Sequence, residues 1–140
     1  MRSDSKDLRS AMRLYAVTDS RWLKGERLAD RVAAAIEGGA TFVQLREKEA
    51  TPAERLALAG EIGALCRERG IPFVVDDDVE TALRAGADGV HVGQSDEGAA
   101  QARLRLGPDK LLGVSAQTVE QALEAERAGA DYLGVGAVFP

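Results

Sequence analysis

The sequence predicts an α/β protein wound as a (β/α)8 TIM barrel, with about six of the eight β-α units present. Three observations carry this. Apolar runs of four to six residues, of the kind buried on both faces in a parallel sheet, alternate with amphipathic helical stretches. A glycine-alanine pair recurs at Gly39-Ala40, Gly86-Ala87-Asp88 and Gly129-Ala130-Asp131, roughly 45 residues apart, so each repeat holds two β-α pairs. No Gly-x-Gly-x-x-Gly loop follows the first apolar run, which favours a barrel over the open doubly wound sheet that right-handed crossovers also allow.

The elements follow in order. Residues 1–11 are polar and charged with no apolar stretch behind them, and read as a flexible leader rather than a secretory signal or a membrane anchor. Residues 12–140 form the partial barrel domain. Strands are predicted at residues 14–17, 42–45, 73–75, 90–92, 111–114 and 132–135. Leu28, Val32, Ala35 and Ile36 share one helical face, as do Leu58, Ile62, Leu65 and Cys66, each set spaced i, i+4, i+7, i+8. Thr51 is the expected N-cap of the second helix, with Pro52 at its first position, Glu54 closing a capping box and Gly70 beyond its end. Thr118 and Gln121 predict a similar cap. Each repeat glycine is expected to end a helix in the left-handed conformation, which a residue without Cβ adopts at little cost. The sequence stops at Pro140 just after the sixth strand, and is therefore expected to be a portion of a barrel of about 200 residues or more.

Composition narrows the partners. A formal charge of −5 argues against a general nucleic-acid binder, whose affinity rests on a basic face. No run reaches the ~18 apolar residues of a membrane span. One cysteine, Cys66, sits at a core position and cannot form an internal disulfide, which fits a cytoplasmic setting.

Strands that end in polar residues recur, at Arg46 and Lys48, at Asp76 to Asp78, at Gln94 and Asp96 and at Ser115, the edge where parallel-sheet enzymes hold their ligands. Gln44, Arg46 and Lys48 alternate, so they can point together toward the barrel mouth as a polyanion grip; the alternative is a solvated loop paired with Glu47 and Glu49. Asp77 and Asp96 end separate strands and suit Mg²⁺, which takes one or two protein carboxylates and completes its shell with water and phosphate. Equally, Asp77, Asp78 and Asp96 could cap the helices that follow. Ser115 has no histidine near it in sequence, so a hydrogen-bonding role toward a polar heterocycle is expected rather than a nucleophile; a plain turn serine is the alternative. His91, inside an apolar strand, reads as a structural residue, and no Cys/His cluster indicates zinc.

In order and spacing, Leu14-Tyr15-Ala16-Val17-Thr18-Asp19, Gln44-Leu45-Arg46-Glu47-Lys48, Gly89-Val90-His91-Val92-Gly93-Gln94-Ser95-Asp96, Gly113-Val114-Ser115-Ala116 and Gly129-Ala130-Asp131-Tyr132 resemble thiamine phosphate synthase. That family is a (β/α)8 barrel that joins hydroxymethylpyrimidine pyrophosphate to a thiazole phosphate, releasing pyrophosphate. The resemblance implies that Gln44, Arg46 and Lys48 hold the pyrophosphate, that Asp77 and Asp96 bind Mg²⁺, and that Ser115 contacts the aminopyrimidine, with Arg46, Lys48 and Ser115 as the catalytic set. Asp76 would lie against substrate where the family usually has asparagine, an acceptor in place of an amide donor. In the family a Thr-x-Thr-Lys segment and two further strands follow the Phe-Pro pair and hold the thiazole phosphate. Two alternatives are a thiazole tautomerase-like relative, which needs neither pyrophosphate nor metal, and a non-catalytic fragment that self-associates through its sheet edges as a homo-oligomer.

Overall fold

The computed structural model describes residues 5–94 and 98–139. Six strands, β1 (Tyr15–Val17), β2 (Phe42–Leu45), β3 (Phe73–Asp76), β4 (Gly89–Val92), β5 (Leu111–Ser115) and β6 (Tyr132–Gly134), form one parallel sheet in chain order. Helices α2 (Leu28–Glu37), α3 (Pro52–Arg69), α4 (Val79–Ala85), α5 (Ala99–Leu106) and α6 (Val119–Arg127) connect them, and a 3-10 turn, Ser20–Trp22, precedes α2. Every crossover steps in the same direction. A doubly wound sheet reverses its strand order at a switch point, so that alternative is excluded. Among the described residues no helix is long and apolar enough to cross a membrane.

Strand alternation sorts the side chains into two layers. Val43, Leu45, Phe73, Val75, Val90, Val92, Leu112 and Val114 pack outward against Leu28, Val32, Ile36, Ile62, Cys66 and Leu106 of the helices. Phe42, Val74 and Leu111 point the other way and cluster with Tyr15, Tyr132 and Leu8. Phe42, Val43, Leu45 and Ile62 have no exposed surface, each burial contributing about 1.5–3 kcal/mol against an exposed side chain. Cys66 is buried in the outer layer, and burial pushes its thiol up to about 11, as expected of a small hydrophobe rather than a reactive group.

Residues from Ser5 onward correct the leader expected over residues 1–11. They form α1 (Ser5–Ala11), whose Leu8 is buried against Phe42, Val74 and Leu111 at the amino ends of the strands. One leucine among charged residues makes no periodic signal, and only the sheet supplies the surface that buries it.

The predicted punctuation is present. Thr51 accepts from the Glu54 amide while the Glu54 carboxylate accepts from the Thr51 amide, and Gly70 closes α3 at φ 68°. Thr118 accepts from the Gln121 amide, but Gln121 reaches past the cap to the amide of Gln117. The repeat also has a role that its spacing did not reveal. Asp88 accepts from the first amide of β3, Phe73 N, and Asp131 accepts from Leu112 N of β5, each carboxylate clamping the neighbouring strand. In the first repeat Thr41 Oγ1 takes that place, accepting from Leu14 N.

Candidate functional site

The polar ends of β1 to β5 converge on the carboxyl edge of the sheet. Thr18 organises the first corner: its Oγ1 accepts from Arg46 N at 2.9 Å and donates to Glu47 Oε2 at 2.7 Å. Glu47 also accepts from Ser20 N, so it is buried between the β1 and β2 loops and turned away from its neighbours in sequence. Arg46 and Lys48 are therefore not matched to Glu47 in a solvated loop. They face the end of β3 instead.

There Lys48 Nζ lies 2.6 Å from Asp77 Oδ2 and 3.5 Å from Asp76 Oδ2, and Arg46 Nε lies 3.9 Å from Asp76 Oδ2. Asp77 has φ 59°, an uncommon conformation for a residue with a side chain, held by Asp77 N donating to His91 O and by Gly93 N donating to Asp77 Oδ1. The three aspartates divide their labour. Asp78 is the helix cap, accepting from Thr81 N and Thr81 Oγ1 of α4 and pairing with Arg55, whereas Asp76 and Asp77 face the cations. Burial would raise the Asp78 carboxyl, but the Thr81 and Arg55 hydrogen bonds outweigh it and the net shift is downward. Asp96 lies outside the described residues.

Burial and, after it, the Asp77 charge push the Asp76 carboxyl up to about 6, with Lys48 and Arg46 pulling against them. Because its folded pKa lies above the ordinary 3.8, the folded state binds the extra proton between those values, and stability is lost as pH rises through about 6. Asp76→Asn removes that loss. In chelator the variant should melt higher than the parent above about pH 6 and converge with it near pH 4; parallel melting curves at both pH values would contradict the assignment.

Two carboxylates facing a guanidinium and an ammonium nearly cancel, so an incoming pyrophosphate adds charge that these four groups do not offset. The donor set, hard carboxylate oxygens beside an anion-accepting fork, fits a small divalent cation. Among the described residues no three His, Cys, Asp or Glu converge as a complete cage.

The inner face opens into a cavity of about 590 Å³, a size suited to a small-molecule ligand, lined by Tyr15, Gln44, Arg46, Asp76, His91 and Ser115 among others. Arg46 also borders a second cavity of about 470 Å³ with Arg21 and Lys48, and Asp76 borders a third of about 180 Å³ with Lys48 and Asp77. Gln44 thus sits deeper than Arg46 and Lys48. It is buried and hydrogen-bonded to Tyr15, in contrast to the half-exposed cations. Ser115, which has no histidine near it in sequence, has one in space: His91 Nε2 lies 2.9 Å from Ser115 Oγ. His91 in turn contacts Tyr132 rather than a carboxylate. Tyr15, Thr18 and Tyr132 stand in the motifs quoted above but were given no role of their own. Strand alternation places Tyr15 on the inner face with Gln44, since Val17 pairs with Gln44 and Tyr15 lies two residues earlier.

Fold and site together define a β/α protein of the barrel-winding class with a mixed-charge pocket at its strand ends. A family model described as thiamine monophosphate synthase matches residues 14–140, and the chain belongs to that family. It is 51% identical over 127 residues to the thiamine biosynthesis bifunctional protein ThiED of Geobacter sulfurreducens, covering 91% of this chain and 25% of that protein. It is 49% identical to the thiamine-phosphate synthase of Clostridium tetani, covering 91% of this chain and 61% of that protein. The structure of a thiamine phosphate pyrophosphorylase from Pyrococcus furiosus superposes with a TM-score of 0.87 at 41% identity, over 95% of this chain and 64% of that one. The chain therefore spans less than two thirds of the length of these relatives.

Proposed function

We propose that the chain is the pyrophosphate-handling part of a cytoplasmic thiamine phosphate synthase, with its six β-α units belonging to an eight-unit barrel. The reaction joins hydroxymethylpyrimidine pyrophosphate to thiazole phosphate, giving thiamine phosphate and pyrophosphate. The observation that carries this reading is the placement of Arg46 and Lys48 against Asp76 and Asp77 at the mouth of a heterocycle-sized cavity.

In the dissociative route implied by the family resemblance, the carbon–oxygen bond to pyrophosphate breaks first and the thiazole nitrogen captures the pyrimidine-stabilised cation. Such a step needs charge neutralisation on the leaving group more than a base. Arg46 offers a planar donor fork to phosphate oxygens and Lys48 a mobile point charge. When bound, Mg²⁺ supplies further neutralisation of the leaving pyrophosphate. Asp77 and Asp96 would hold it, and Asp76, bordering both the cation pair and the interior, would lie against substrate. Ser115, on the inner wall, would meet the pyrimidine.

The test uses the full-length protein with both substrates and follows thiamine phosphate formation. Turnover should vanish in chelator and return with Mg²⁺, and Asp77→Ala should lower kcat/KM by ~10²-fold or more. Full turnover in chelator would remove the metal from the proposal. No product under any condition would remove the synthase reading itself.

A further inference from the structure

The charged groups at the carboxyl edge are carried by two separate loops, and the guanidinium of Arg55 ties those loops together. Lys48 lies inside a four-residue turn that Ala50 N closes on Glu47 O at 3.3 Å. Arg55, in the first turn of α3, grips both ends of that turn. Its Nε and Nη2 donate to Glu47 O at 3.3 and 3.2 Å, and Nη2 donates to Ala50 O at 2.9 Å. From the other side of the fork, Nη1 donates to Asp78 Oδ2 at 3.0 Å, in the loop that follows Asp76 and Asp77. Asp78 is itself fixed, since it caps α4 through Thr81 N and Thr81 Oγ1. The Lys48 turn is also held from behind, where the Glu47 carboxylate accepts from Thr18 Oγ1 and Ser20 N.

Burial and bonding separate the group that holds from the groups that bind. The Arg55 and Asp78 side chains are 18% and 21% exposed, whereas Lys48 is 49% exposed. Arg55 borders the cavity of about 180 Å³ with Lys48, Asp76 and Asp77, yet its hydrogen bonds run to the two loops and engage four of the five N–H groups of a guanidinium. In the proposed reaction Lys48 turns to phosphate and Asp77 to the cation, so their 2.6 Å contact has to open. If that ion pair alone set the spacing of the loops, opening it would let them drift. A rigid planar fork bonded to both loops keeps the spacing when the pair is broken.

We propose that Arg55 is a positioning residue: by bracing the Lys48 turn against Asp78 it fixes the distance between Lys48 and the Asp76–Asp77 strand end, so that the ammonium keeps its place while pyrophosphate and its cation replace the ion pair. The pyrophosphate rests on the synthase reading, whereas the brace between the loops does not.

Two measurements on the full-length protein test this with Arg55→Lys, which keeps the charge and loses the fork. Backbone ¹⁵N order parameters of Lys48, Glu49 and Ala50 should fall from the rigid range near about 0.85 to below about 0.6, with those of β2 unchanged. In thiamine phosphate formation kcat should fall roughly 10- to 100-fold, the scale of a small misplacement near the reacting bond, with KM for the thiazole phosphate unmoved. In a Lys48→Ala background the same change should cost less than about twofold, because the group being positioned is gone. Asp78→Asn keeps a capping oxygen for α4 and presents N–H groups to Arg55 where a carboxylate oxygen stood. It should reproduce the kcat loss, and it carries the test if Arg55→Lys does not fold. Unchanged order parameters in the turn, or a kcat loss of equal size with and without Lys48, overturns the inference. If the parent forms no thiamine phosphate, the synthase reading fails, and the order parameters alone decide the brace.

Discussion

Arg46→Ala should lower kcat/KM for thiamine phosphate formation by the full-length protein ~10²- to 10³-fold, the range seen when one preorganised donor to developing negative charge is removed. The guanidinium borders both the interior cavity and the outer one that Lys48 lines, so it is the group best placed to follow a pyrophosphate as its bond to carbon breaks. Its main-chain amide is already held by Thr18, so truncating the side chain leaves the loop in place. The side chain is 43% exposed, and its loss should change the unfolding midpoint little, within about 0.5 kcal/mol. Arg46→Lys keeps the charge and loses the fork, and should recover only part of the rate. Retention of most of the parent rate by Arg46→Ala would sink the assignment.

Gly89→Ala should cost the fold at least ~3 kcal/mol, at or beyond the upper end of ordinary overpacking. A Cβ at this position would lie 1.9 Å from Leu111 O and 2.6 Å from Leu111 C. Both are backbone atoms of the paired strand, so no rotamer change relieves the contact. Leu111 is itself 1% exposed and its amide is tied to Asp88 O, so β5 has no room to retreat. The control is Gly60→Ala inside α3, where a Cβ meets nothing within 4 Å and helix propensity should add about 0.5–1 kcal/mol. Urea unfolding of the two variants should move in opposite directions; equal midpoints would mean the strands are not this closely apposed.

The site was legible from sequence to the extent that its residues are neighbours in the chain. The Gln44-Leu45-Arg46-Glu47-Lys48 run announced a cationic strand end, and the structure turns Glu47 back to Thr18 and Ser20 while Arg46 and Lys48 face Asp76 and Asp77. Which of three consecutive aspartates caps the helix was not legible. The backbone settles it, since Asp78 aligns with the free amides of α4 while Asp77, at φ 59°, is turned toward Lys48 and Gly93. The hydrogen bond between the Tyr15 and Tyr132 hydroxyls was invisible for a similar reason. Tyr15 and Tyr132 are 117 residues apart, and neither carries a spacing or motif that names the other.

What the sequence by itself determined are the features whose physics is local. The capping box of α3, the left-handed glycines and the alternation of buried strands with amphipathic helices rest on residues near one another in the chain, and the family membership on short motifs, each local, strung along residues 14–140. Tertiary structure alone decided the direction of winding, the burial of Leu8 over the amino ends of the strands, the pairing of Lys48 with Asp77 and the meeting of His91 with Ser115. Those contacts depend on the curvature that brings distant strand ends together. Curvature is a sum over every strand pair in the sheet, and no short segment encodes it.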